Sequence, residues 1–216
     1  MPTIIKMNLN LRETQLKKRL KYPYKWHCKQ NNNDDYLTNF IYNIFDFEDL
    51  IKEIEKRFSD DSRYKILFDY ALNRWFNFWS SQAVEQIFCE LQDVIPAKNA
   101  KDRLVDFEIK GVKFDHKTSV FPEGYSYDLM MAQEDPRSLI LWLYENQSKE
   151  QRKHLKNRLF IILYSNQGDH WKLKAEILWL KGLIENYVKN FDITKLHKFT
   201  FEKDELTFSD IIWAVK

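Results

Sequence analysis

The chain has 216 residues, 31% of them charged and 16% aromatic, and a formal net charge of +2. That aromatic content excludes a disordered chain, and the near-neutral balance excludes a globally basic nucleic-acid binder. Two cysteines outside any CxxC or Cys/His cluster argue against a disulfide or zinc framework, and the lack of a long apolar run predicts a cytoplasmic protein with no membrane partner.

With only four Gly and five Pro, long regular elements are expected, helix-rich and arranged as one α/β (α+β) unit. A basic N-terminal arm and helical extension is expected over 1–60, before a core over 61–216. Lys6, Arg12, Lys17, Lys18, Arg19, Lys21, Lys25 and Lys29 interleave with Tyr22, Tyr24 and Trp26. Phosphate contact plus base stacking needs that mixture, although a solvated terminal segment is the plainer explanation. Asn31–Asp35 reads as a loop, followed by a helix from Tyr36 to Asn43. Asp46 caps another through Phe58, with Glu48 and Asp49 in its first turn. After Ser59–Ser62, Tyr64, Leu67, Phe68, Ala71, Leu72, Trp75, Phe76 and Trp79 recur at helical spacing. The pattern resumes after Ser80-Ser81 with Val84, Ile87, Phe88 and Leu91, and Glu85 lies beside that stripe. Val94–Ala97 offers only a weak strand.

Val105, Phe107 and Ile109 then alternate with Asp106, Glu108 and Lys110, the period of a strand. Gly111 supplies the positive φ of a hairpin turn. A two-residue loop at Lys110-Gly111 sets Ile109 opposite Val112, Phe107 opposite Phe114, and Asp106 opposite Asp115. Opposed residues have Cβ atoms roughly 5 Å apart, and one divalent ion bridges that gap through oxygens at roughly 2.1 Å. Lys117 projects from the same face as Asp115, and His116 from the opposite, packed one.

Val120–Glu134 is expected to be an irregular crossing. Asp135-Pro136 starts a helix. Ser148–Gln151 has capping-box spacing and opens a short helix with Lys149, Arg152, Lys153 and Lys156 along one face. That stripe suits a phosphate backbone or, equally, solvent. Leu159–Tyr164 is a continuous apolar run, expected as a buried strand. A long helix is expected over Trp171–Phe191, then a strand near Phe199–Phe201 and a capped segment after Ser209.

From Val105 to Thr118 the chain resembles the PD-(D/E)XK nuclease superfamily, whose pattern is an acid on one strand and then Asp or Glu, any residue, and Lys on the next. Asp106 matches the first acid, Asp115 the second and Lys117 the lysine. The resemblance implies a restriction-endonuclease-like mixed sheet flanked by helices and a helix–hairpin–helix–strand order. It also implies a further glutamate from the upstream helix, for which Glu85 is the candidate. The implied activity is Mg²⁺-dependent hydrolysis of DNA phosphodiester bonds, with Mn²⁺ as substitute. Asp106, Asp115, Glu85 and the backbone carbonyl of His116 would hold the ion, and Lys117 would orient the attacking water.

Two alternatives stay open. Glu108-Ile109-Lys110, with Asp93 upstream, is a second acid-x-lysine triplet. The other is a non-catalytic nucleic-acid-binding or assembly protein of the same fold with a vestigial acidic pair. Cutting both strands would require a homodimer or two sites.

Overall fold

The longest apolar stripe in the sequence becomes the longest helix. It runs unbroken over Tyr64–Cys89, through Ser80-Ser81, where the Ser80 hydroxyl bonds back to the Asn77 carbonyl and does not end the helix. The computed structural model describes residues 6–97, 104–146, 155–202 and 205–216. These divide into two compact units: Lys6–Ala83 with Lys174–Leu178, and Val84–Leu173 with Trp179–Lys216. The division falls within the long helix, not at residue 60.

The first unit is helical. α1 (Leu9–Lys18) starts at Asn8, whose side chain accepts from the Asn10 and Leu11 amides. α2 (Asn32–Leu37) occupies much of the expected loop, because Asn31 caps it and Asp34 and Asp35 sit in its favourable first turn. A 3-10 turn follows over Asn39–Tyr42. α3 (Phe47–Phe58) begins at Asp46, which accepts from the Glu48 and Asp49 amides as expected. α4 (Tyr64–Cys89) buries its apolar stripe in this unit through Leu67, Leu72, Trp75 and Phe76. Its polar residues are equally engaged. Asn73 donates to the Lys25 carbonyl and accepts from Arg19, while Arg74 reaches the Asp35 carbonyl and the Thr38 hydroxyl. The basic, aromatic N-terminal segment is divided: Arg12 and Arg19 are buried and the Tyr22 and Trp26 rings meet Phe68 and Tyr70, whereas Lys6, Lys17, Lys21, Lys25 and Lys29 are exposed.

The second unit is mixed α/β, a six-stranded sheet flanked by helices. β1 (Val94–Pro96), β2 (Phe107–Ile109) and β3 (Val112–Val120) are antiparallel neighbours. α5 (Leu129–Glu134), inside the stretch expected to be irregular, and α6 (Pro136–Glu145) lead to β4 (Arg158–Tyr164), which runs parallel to β3. A 3-10 turn over His170–Ala175 and α7 (Ile177–Lys189) replace the single expected helix, and lead to β5 (His197–Glu202) and β6 (Glu205–Val215). The sheet order is β1-β2-β3-β4-β6-β5, with β6 parallel to β4 and antiparallel to β5. The segment after Ser209 is thus strand: the Ser209 hydroxyl donates to the Arg158 carbonyl instead of capping a helix.

β4 is buried along almost its whole length, as a continuous apolar run at the middle of a sheet must be. One core gathers Leu139, Ile140 and Tyr144 of α6 with Phe160 and Ile162 of β4, Phe199 of β5 and Ile211 of β6. The alternate residues of β3 pack elsewhere, Phe114 against Phe191 and His116 near Phe88.

Candidate functional site

The hairpin forms as its sequence requires, up to a point. Lys110 and Gly111 take φ of 44° and 89°, the left-handed pair that a two-residue turn needs. Ile109 pairs with Val112, Glu108 with Lys113 and Phe107 with Phe114. The next step departs from the expected register. Asp106 lies outside β2, and its amide donates to the Phe114 carbonyl at 2.8 Å. Asp106 and Phe107 thus share one partner residue, as in a β-bulge. The Asp106 carboxylate turns to His116, where Oδ2 accepts from the backbone amide at 2.8 Å and meets Nδ1 at 2.7 Å.

Asp115 has a different partner. It pairs with Arg158 on the neighbouring parallel strand, and Arg158 Nε donates to its Oδ2 at 2.9 Å. Arg158 is 2% exposed, and its guanidinium lies 5.7 Å from the centre of the Tyr144 ring. The expected pairing of Asp106 with Asp115 across the ladder is therefore not formed. Each carboxylate has its own basic neighbour: the one-residue irregularity turns Asp106 to His116, and the β3–β4 register sets Asp115 beside Arg158.

A weaker form of convergence remains. His116 is buried, with its ring near Phe88 and Phe107. Burial opposes its imidazolium, but the charges of Asp106, Glu85 and Asp115 outweigh burial and hold its pKa above the ordinary value. Its Nε2 is buried with no hydrogen-bond partner among the described residues. Burial, helped by Glu85, Asp106 and Glu90, pushes the Cys89 thiol up to about 12, so that thiol stays protonated and inert. Glu85, Asp106 and Asp115 thus share one electrostatic neighbourhood around His116. Lys117, half-buried, stands two residues beyond Asp115 on the same strand.

The other candidates separate. Lys149, Arg152 and Lys153 lie outside the described residues. Lys156 bonds both oxygens of Glu205, at 2.5 and 2.6 Å, so it is engaged within the sheet unit. Lys110 of the alternative triplet reaches the Phe191 carbonyl, and Glu108 stands opposite Lys113.

Glu85, Asp106 and Asp115 offer the hard oxygen donors that Mg²⁺ prefers. Their arrangement does not fit one ion: among the described residues, no three His, Cys, Asp or Glu side chains form a metal-binding group. Two residues at this site escape sequence reasoning. Arg158, at the head of the apolar β4 run, leaves a trace, since a charge entering a buried strand calls for a counter-ion. His116 as the partner of Asp106 leaves none, because it depends on the bulge. The chain matches no protein-family model, no curated protein and no solved structure.

Proposed function

We propose that the chain is a Mg²⁺-dependent nuclease hydrolysing DNA phosphodiester bonds, with a restriction-endonuclease-like core. What carries this reading is that Asp106 bonds the buried imidazole of His116 and that the charges of Glu85 and Asp115 also act on it. Chain order supports it: α4, the β1–β3 meander, α5 and α6, then β4 parallel to β3. That is the helix–hairpin–helix–strand order implied by the sequence resemblance.

When bound, the cation would polarise the scissile phosphate and acidify a water. The present arrangement does not hold it, so no hydrolytic step is assigned to it. Activity requires Asp106 to leave His116 and Asp115 to loosen from Arg158. Lys117 would set a positive charge where negative charge develops on the phosphate.

One observation favours a second reading. Both hairpin carboxylates already have basic partners, as in a non-catalytic nucleic-acid-binding or assembly protein. Plasmid nicking by the purified chain in Mg²⁺ or Mn²⁺ decides between them. The nuclease reading expects nicking that is lost in Lys117→Ala and Asp115→Asn, and a metal-dependent rise in Tm that Asp106→Asn abolishes. Intact plasmid together with a metal-insensitive Tm overturns it in favour of the binder.

A further inference from the structure

In the helical unit, residues 21–30 carry three lysines, one histidine and no carboxylate. From Tyr22 to Trp26 the side chains alternate, as they do along an extended chain. Tyr22, Tyr24 and Trp26 are half-buried, while Pro23 and Lys25 between them are exposed. The Tyr22 ring meets Phe47 and Phe68, Trp26 meets Tyr70 edge-on, and the Tyr24 hydroxyl accepts from Asn77. His27, at a φ of 52°, ends the alternation and leaves residues 27–30 exposed. The backbone is held from beneath. Arg19 donates to the Tyr22 and Pro23 carbonyls at 2.6 and 3.1 Å, and Asn73 to the Lys25 carbonyl at 2.6 Å.

The acids that touch this segment are already matched. Asp69 meets His27 at 2.6 Å and Lys65 at 3.2 Å, and Asp34 accepts from Arg63 at 2.8 Å. Among the described residues, Lys21, Lys25 and Lys29 have no carboxylate partner. Elsewhere in the unit, exposed lysines such as Lys52 and Lys56 sit beside Asp49 and Glu53. The outward face of the segment is therefore an uncompensated positive strip on a fixed backbone.

We infer that Lys21, Lys25 and Lys29 form a contact surface for the phosphate backbone of duplex DNA. The inference rests on the nuclease reading only for the choice of DNA as partner, and it requires no cut. Four extended residues set Lys21 and Lys25 about 13 Å apart. A duplex carries one charge per roughly 1.7 Å of its axis, so each ammonium meets its own phosphate. Rings turned inward do not serve as stacking platforms for splayed bases, which favours a duplex over a single strand. Contacts to phosphate carry no sequence information, so binding is independent of sequence. Only the lysine side chains need ordering, because the backbone is already in place.

Anisotropy of a labelled random-sequence duplex of about 20 base pairs tests this in EDTA, between roughly 50 and 200 mM KCl. The triple variant Lys21→Gln, Lys25→Gln, Lys29→Gln is compared with Lys52→Gln, Lys56→Gln, Lys181→Gln, which loses the same charge from lysines that have carboxylate partners. The first is expected to flatten the slope of log K against log salt by about 2–3, at roughly 0.9 per lost phosphate contact. The second is expected to leave the slope unchanged. Equal slopes in the two variants overturn the inference, as does a native chain that binds anionic vesicles but not the duplex. Tighter binding of an oligo(dT) of equal length by the native chain overturns it without any variant. A chain that binds the duplex as expected yet never nicks plasmid leaves this surface standing and removes only the nuclease reading.

Discussion

Two carboxylates expected to share one ion stand in unlike surroundings. Asp115 meets a guanidinium that is almost wholly buried, on the adjacent strand of a parallel ladder. Asp106, with a side chain 25% exposed, meets a histidine of the strand that follows the hairpin turn. The difference lies in what each partner does when its carboxylate is removed. Arginine keeps its charge under all ordinary conditions, whereas histidine sheds a proton and becomes a tolerable buried group.

Asp115→Ala is therefore the variant with the largest expected effect. It leaves the Arg158 charge in the interior without its carboxylate, which costs about 3–5 kcal/mol. Urea unfolding monitored by circular dichroism measures it. Asp106→Ala removes two hydrogen bonds from His116 but leaves a group that can discharge, so about 1–3 kcal/mol is expected. Equal losses in the two variants would break the comparison, because partner chemistry would then not matter. The double variant Asp115→Leu with Arg158→Met sharpens it: replacing both members of a buried pair is expected to recover most of the Asp115→Ala loss.

How far the sequence foretold this follows from what each element depends on. Gly111 and strict alternation make the hairpin legible, because period and turn chemistry are local. Asp46 marks the start of α3 for the same reason, since a cap acts within three residues. The bulge at Asp106 is not local in this sense. It shifts one residue against a partner strand, and no periodicity within the strand records such a shift. α2 is hidden because Asn31–Asp35 is equally good as loop or as cap and first turn. β6 is hidden because Ser209-Asp210 looks like a capping pair, while β4 alongside decides that it extends. Of the candidate site, the neighbourhood of Glu85, Asp106 and Asp115 is legible, and the pairing within it is not.

A carboxylate of the helical unit extends the comparison with a smaller effect. Asp34 is as buried as Arg158, yet its oxygens accept from Arg63 and Asn31 together. Burial works against its charge, but those donors prevail and hold its pKa below the usual range. A depressed folded pKa contributes stability that is complete above the unfolded value near 3.9 and is lost as pH falls through the folded one. Protection from hydrogen exchange in residues 31–38, corrected for the intrinsic rate at each pH, should therefore fall in the native chain as pH drops below about 3.9. That acid-induced loss of protection should be absent in Asp34→Asn. Protection that stays constant below that pH would mean the donors do not favour the charged form.

The weakest member is the pair of Lys156 with Glu205, short at 2.5 Å but with side chains 41% and 45% exposed. Geometry alone would rank it above Asp115 with Arg158 at 2.9 Å. Solvent reverses that order, because water and salt already serve both charges when the pair is broken. Lys156→Ala is expected to leave the urea midpoint within error of the native value. Any small change should vanish in 0.5 M salt, whereas the Asp115→Ala loss should persist there. A Lys156→Ala loss as large as that of Asp115→Ala would mean that contact distance, and not burial, sets the strength of ion pairs in this sheet.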